Sequence, residues 1–193
     1  PKAEQEQVLK LFGGCTVFLT PDNIESVLRD NDWLSSAWKL ANLYLLSIGA
    51  QPLGEEALKI VGYSEEQTCY VSPAYFTEDH QYADFVVHEM AHVFHNCKRR
   101  TAGLKETHTK EWLLDIDYLK REEFAYSCEA YSRILEQSKT PTDRRALAEQ
   151  FNGFNVENDR ANQEEVVEIV RAACPCRNGW KVILERCQKS RSG

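Results

Sequence analysis

The stretch His88-Glu89-Met90-Ala91-His92 puts two histidines four residues apart and a glutamate directly after the first of them. On an α-helix, residues at this spacing lie one turn above each other on the same face. Two imidazoles in that arrangement can bind one Zn²⁺, and the glutamate between them can reach a water molecule on the metal. The stretch therefore predicts a zinc site on a helix, with the chemistry of a hydrolase.

The residues around this stretch have the periodicity of a helix over 82–97. Apolar residues recur there at spacings of three and four, at Ala83, Val86, Val87, Met90, Phe94 and Cys97. His88 and His92 fall on the side of the helix opposite this apolar stripe. We expect the stripe to face a core and the two histidines to line a cleft.

Periodicity and turn residues predict a mainly helical α+β chain with a small strand region before the HExxH helix. The other predicted helices cover 4–12, 23–29, 32–47, 55–60, 120–136, 141–151, 163–173 and 180–187. Predicted strands cover 15–19 and 67–73, and a polar loop is predicted over 98–110. We expect the strand at 67–73 to be an edge strand beside the cleft, where an extended peptide can pair with its main chain.

The length of the chain fits a single domain over 1–187. Within it we predict an N-terminal helical part over 1–66, a metal-site core over 67–137 and C-terminal helices over 138–187. Residues 188–193 are polar and are predicted to form a flexible tail.

Composition argues against nucleic-acid binding and against a membrane-spanning helix. The chain has 23 basic and 30 acidic residues and a net charge of −7, which argues against a dedicated nucleic-acid binder. No apolar run is long enough for a membrane-spanning helix, so none is predicted.

The seven cysteines are scattered without the spacing of a disulfide framework, which favours a reducing compartment and a cytoplasmic location.

Catalytic zinc sites usually have three protein ligands and one open position for water. His95 is a poor third ligand, because it lies about 10.5 Å along the helix axis from His88. We expect it to support the site or form the cleft wall. The metzincin pattern is excluded because it needs Gly at position 95 and His at position 98, where this chain has His95 and Lys98. His108 is an open alternative, because a histidine followed by the large aromatic Trp112 resembles the SprT-like pattern.

The segment Glu122-x-Phe124-Ala125-x-x-x-Glu129 resembles the ligand helix of the gluzincins, in particular the anthrax lethal factor and Mlc titration factor peptidases. The resemblance covers only the HExxH helix and this second helix. It implies a zincin-like metallopeptidase domain in which His88, His92 and Glu122 bind Zn²⁺. Glu123 is the adjacent alternative for the third ligand.

The spacing on this second helix agrees with that assignment. Glu122, Ala125 and Glu129 share one helix face. The small Ala125 allows a close approach to the HExxH helix, and Glu129 can then hydrogen-bond a ligand histidine.

The resembling families carry a tyrosine seven residues before the ligand glutamate, where it can stabilise the oxyanion. This chain has Asp115 at that position. The oxyanion role is therefore open among nearby side chains, which are Tyr118, Tyr126, Tyr131 and His108. We predict Tyr118 and Tyr126 as the catalytic tyrosines.

The resemblance implies a zinc endopeptidase that acts on a protein or peptide substrate. Zn²⁺ lowers the pKa of its water toward 7, and Glu89 takes the proton as general base. One alternative is a SprT-like protease of DNA-bound proteins, with His108 as third ligand and Lys98-Arg99-Arg100 as a basic patch. The other is a non-catalytic zinc-binding regulatory or interaction domain, which would have no use for Glu89.

Overall fold

The computed structural model describes residues 2–54, 57, 62–65, 67–77, 81–108, 110–155 and 161–188. The helix predicted over 55–60 and the tail predicted over 188–193 lie outside the described residues, apart from positions 57 and 188.

The described part of the chain is mainly helical, with one small sheet, which confirms the mainly α form of the α+β prediction. Its helices are α1 (Lys2–Cys15), α2 (Ile24–Arg29), α3 (Leu34–Ser47), α4 (Phe85–Asn96), α5 (Arg121–Gln137), α6 (Pro141–Gln150), α7 (Gln163–Ala173) and α8 (Gly179–Cys187). Its strands are β1 (Thr16–Phe18), β2 (Gly62–Glu65) and β3 (Thr68–Val71). Two 3₁₀ turns cover Pro73–Thr77 and Tyr118–Lys120. No described helix is long and apolar enough to cross a membrane.

The three strands form one sheet in the order β1-β3-β2. β3 is parallel to β1, with Tyr70 opposite Val17, and antiparallel to β2, with Cys69 opposite Ser64. The strand predicted at 67–73 is therefore the central strand, and the prediction that it forms the edge beside the cleft is wrong. The edge strand beside the cleft is β2. Its sequence, Gly-Tyr-Ser-Glu, lacks apolar alternation, so the strand depends on its pairing with β3.

The first helix was predicted to end at residue 12, but α1 continues through Gly13 and Gly14 to Cys15. A glycine inside a helix costs about 1 kcal/mol relative to alanine, which long-range packing can offset. Cys15, the last residue of α1, is buried and leads directly into β1 at Thr16.

The main core surrounds α5, which packs against α4, α6, α7 and α8. The capping box of Thr140 and Asp143 fixes the start of α6, and side-chain caps from Asn162 and Asn178 begin α7 and α8. These C-terminal helices hold α5 in place, and α5 carries the acidic residues predicted for the site.

Helix α4 begins at the N-cap Asp84, whose side chain accepts a hydrogen bond from the Val87 amide. It packs against α5 and against strands β2 and β3. Its most buried residues are His88, Ala91, Val93 and His95. His88 and His92 line a cleft, as predicted, although Glu122, Tyr126 and Glu129 of α5 lie close to them. The stripe was predicted to face a core, and that is only partly correct. The stripe residues Val87, Met90 and Phe94 are only half-buried and line an apolar cavity.

Gly179 at the start of α8 provides a test of this core. A Cβ there would lie 2.4 Å from Tyr131 Cζ and 2.7 Å from the Ala173 carbonyl oxygen. Because the second contact is with backbone, we expect Gly179→Ala to lower the free energy of unfolding by about 1–3 kcal/mol. Gly13 in α1 has no atom within 4 Å of the corresponding position, so Gly13→Ala is the control and should be neutral or stabilising. Urea denaturation of both variants measures the difference, and an unchanged Gly179→Ala midpoint would contradict this packing.

Candidate metal centre

His88, His92 and Glu122 each direct one ligand atom to a common point, and these atoms all lie within 4.8 Å of one another. His88 Nε2 and His92 Nε2 are 3.2 Å apart. Glu122 Oε2 lies 3.8 Å from His88 Nε2 and 3.5 Å from His92 Nε2. The group can hold a metal ion.

The separations fit a small tetrahedral ion. Two ligand atoms at about 2.1 Å from such an ion, at the tetrahedral angle, are about 3.4 Å apart. The three measured separations of 3.2, 3.5 and 3.8 Å bracket that value. Two imidazoles and one carboxylate are also a donor set that divalent transition metals accept.

The structure separates Glu122 from its acidic neighbours on α5. Glu122 Oε2 approaches both ligand histidines. Glu123 instead accepts a hydrogen bond from the Asn162 amide, at 3.0 Å, at the start of α7. Glu129, two turns along α5, contacts His88 at Nδ1 rather than at Nε2.

His108 does not belong to this group among the described residues. It lies exposed in a turn between Thr107 and Lys110, which form an isolated bridge. The basic patch next to this turn is paired with carboxylates, through Lys98–Glu111, Arg99–Glu4 and Arg100–Glu106.

A buried hydrogen-bond network supports His88. Glu129 Oε2 accepts from His88 Nδ1 at 3.0 Å, which confirms the predicted contact between Glu129 and a ligand histidine. The other oxygen, Glu129 Oε1, accepts from the Asp84 amide at 2.7 Å. Asp84 Oδ1 in turn accepts from the Tyr75 hydroxyl and from the Val87 amide. The N-cap of α4 and the orientation of the first ligand therefore depend on one another.

His92 has a different partner. Its Nδ1 lies 3.1 Å from Nε2 of His95, one turn further along α4. Burial lowers the pKa of His95 to about 4, and nearby positive charge from His92 and Arg121 acts in the same direction. His95 is therefore a neutral imidazole at physiological pH.

The pKa values of Glu122 and His88 are also shifted by their surroundings. Burial raises the pKa of Glu122, but its hydrogen bond to His92 and the charges of His92 and His88 lower it more, and the net shift is downward. Burial lowers the pKa of His88, but Glu129 raises it more, with Glu89 and Glu122 contributing, and the net shift is upward. Glu122 is thus available as a carboxylate ligand.

The group lies in a cleft of about 410 Å³ between β2, α4 and α5. Glu89 lines this cleft beside the ligand histidines and is not one of the three converging side chains. The other side chains that line the cleft come from α3, β2, α4, the second 3₁₀ turn and α5, and include Lys39, Tyr63, Asn96, Tyr118, Arg121 and Tyr126. A molecule bound in the cleft would contact His88, His92 and Glu122, the carboxylate of Glu89 and several hydrogen-bond donors.

The three tyrosines considered for the oxyanion role lie in different places. Tyr126 lines the cleft with its ring edge-on to His88, at 4.4 Å between centroids. Tyr118 also lines it, is 64% exposed, and has the Arg121 guanidinium over its ring. Tyr131 is buried in the core, where its hydroxyl accepts from the Gly179 amide.

The sequence prediction missed Asp84, Tyr75 and Arg121. Asp84 carried a signal, because aspartate just before an apolar helical run is a common N-cap. Tyr75 and Arg121 act through contacts with distant segments or the cleft, and no local pattern indicates such contacts.

A scan against protein-family models and searches of curated proteins and of solved structures give no match. What the chain does must therefore be inferred from the side chains of the site itself.

Proposed function

We propose that the protein is a zinc-dependent metallopeptidase of the gluzincin type. The main support is the convergence of His88, His92 and Glu122 in an open cleft, with Glu89 beside them. A zinc ion bound there would activate water and polarise the carbonyl of the scissile peptide.

Glu89 is the proposed general base. It directly follows the ligand His88 on α4 and faces the same cleft. A carboxylate in that position can take a proton from water and pass it to the leaving amine. Glu89 makes no ligand contact of its own in the converging group, which leaves it free for proton transfer.

Tyr126 and Tyr118 are the proposed oxyanion donors. Both lie in the cleft that holds the ligand side chains, whereas Tyr131 and His108 do not line it. A phenol can donate a hydrogen bond to the oxygen that becomes negative during hydrolysis. Tyr126 is the closer to the ligands, because its ring contacts His88.

Strand β2 supports a peptide substrate in particular. It lies at an edge of the sheet, and its residues Gly62, Tyr63 and Ser64 line the cleft. An extended peptide can add to such an edge by main-chain hydrogen bonds. Its scissile bond would then lie next to the ligand histidines.

The main competing function is a non-catalytic zinc domain. A structural zinc site is usually closed by four protein ligands. Among the described residues, the group has three ligands and opens into a cleft. That arrangement favours the enzyme.

Metal removal tests the proposal. The protein should bind one zinc per chain and cleave members of a mixed peptide library. Treatment with a chelator should abolish cleavage, and one equivalent of zinc should restore it. Failure to bind zinc would overturn the proposal, and zinc binding without any cleavage would favour the non-catalytic domain.

A further inference from the structure

The two ligand histidines are held by chemically different partners. His88 Nδ1 contacts the carboxylate of Glu129 at 3.0 Å, and His92 Nδ1 contacts the imidazole of His95 at 3.1 Å. Metal-binding histidines usually donate this second N–H to a carboxylate, a backbone carbonyl or water. The support of His92 by a neighbouring imidazole is unusual.

A metal ion bound at His92 Nε2 would fix the tautomers of this pair. His92 Nε2 faces His88 Nε2 and Glu122 Oε2, so it must be unprotonated to bind a metal. A neutral His92 then carries its proton on Nδ1. The atom opposite that proton is His95 Nε2, which must itself be unprotonated to accept the hydrogen bond.

The surroundings of His95 restrain its ring. The residue is only 7% exposed, and its ring lies edge-on to Phe124 of α5. Its Nε2 faces His92 Nδ1 across 3.1 Å.

We propose that His95 is the positioning residue of His92, accepting its Nδ1–H so that Nε2 is presented to the metal. The proposal rests on the metal site of the proposed function. It gives the third histidine of the HExxHxxH segment a role other than ligation. It also makes the support asymmetric, because Glu129 brings a negative charge to His88 whereas His95 brings none to His92.

Two substitutions at His95 separate this role from simple packing. His95→Phe keeps a ring of similar size but has no acceptor, and we expect zinc affinity to fall about 10- to 100-fold. His95→Gln places an amide oxygen near the position of Nε2, and we expect it to restore most of that affinity. Zinc affinity is measured by competition with a chromogenic chelator, and the visible spectrum of the Co²⁺-loaded protein reports the ligand geometry.

Val93→Ala is the matched control, because Val93 is 1% exposed and lies on the same helix between His92 and His95. This variant should lower the melting temperature and leave the zinc affinity within about twofold of wild type. Equal zinc affinity in His95→Phe and wild type would overturn the proposal. A loss of affinity in His95→Gln as large as in His95→Phe would also overturn it.

Nitrogen NMR of the zinc-loaded protein tests the same contact by a readout other than affinity. In wild type, His92 should carry its proton on Nδ1 and His95 Nε2 should be unprotonated, and in His95→Phe the His92 Nδ1 proton should exchange faster with solvent. A proton on His95 Nε2 would contradict the proposal. If wild type binds no zinc, the proposed function fails, whereas equal zinc binding by wild type and His95→Phe overturns only the role of His95.

Discussion

Glu89→Gln is expected to lower the turnover of a cleaved peptide by about 10²- to 10⁴-fold, which is the usual contribution of general acid–base catalysis. The amide has the shape of the carboxylate but cannot take the proton from water. Glu89 lines the cleft but is not among the converging ligand side chains, so the variant should fold and bind zinc as wild type does.

The measurement is kcat on one peptide, with the zinc content determined on the same sample. Glu136→Gln, an exposed carboxylate on α5, is the control and should keep full activity. Wild-type turnover by zinc-loaded Glu89→Gln would rule out Glu89 as the base. A loss of zinc in that variant would instead show that Glu89 helps to bind the metal.

The second large effect is expected from Glu122→Gln, because Glu122 supplies the only carboxylate of the converging group. Structural zinc sites with four ligands bind with about 10–16 kcal/mol, or about 3 kcal/mol per ligand. Loss of one ligand should therefore weaken zinc binding about 100-fold. Peptide cleavage at low zinc should fall with it.

Glu123→Gln is the matched control, one residue further along α5. Glu123 accepts from the Asn162 amide, so this substitution should affect stability and leave zinc affinity near that of wild type. Isothermal titration of both variants with zinc gives the comparison. The reverse result, with zinc lost in Glu123→Gln and kept in Glu122→Gln, would show that the other face of α5 meets the histidines.

Local spacing explains the parts of the site that could be predicted. His88 and His92 are four residues apart, and Glu122 and Glu129 are seven apart, so each pair shares a helix face whatever the tertiary structure. The same rule places Tyr126, four residues after Glu122, on the same face of α5. Tyr131 is turned by its position on α5 into the core with α8.

Other features depend on pairing between distant segments. Strand β2 forms because β3 lies beside it, and its own sequence has little strand character. The contact from Glu129 to the Asp84 amide joins residues 45 positions apart. His88 is buried because Tyr126 and Glu129 of α5 lie against it, and the periodicity of α4 alone cannot show which of its residues another helix will contact.

The most direct test of the metal centre is a crystal structure of the zinc-soaked protein, with anomalous diffraction recorded on both sides of the zinc edge. We expect one strong anomalous peak at about 2.0–2.2 Å from His88 Nε2, His92 Nε2 and Glu122 Oε2. A structure in which these three atoms turn apart, with no peak between them after soaking, would contradict the account.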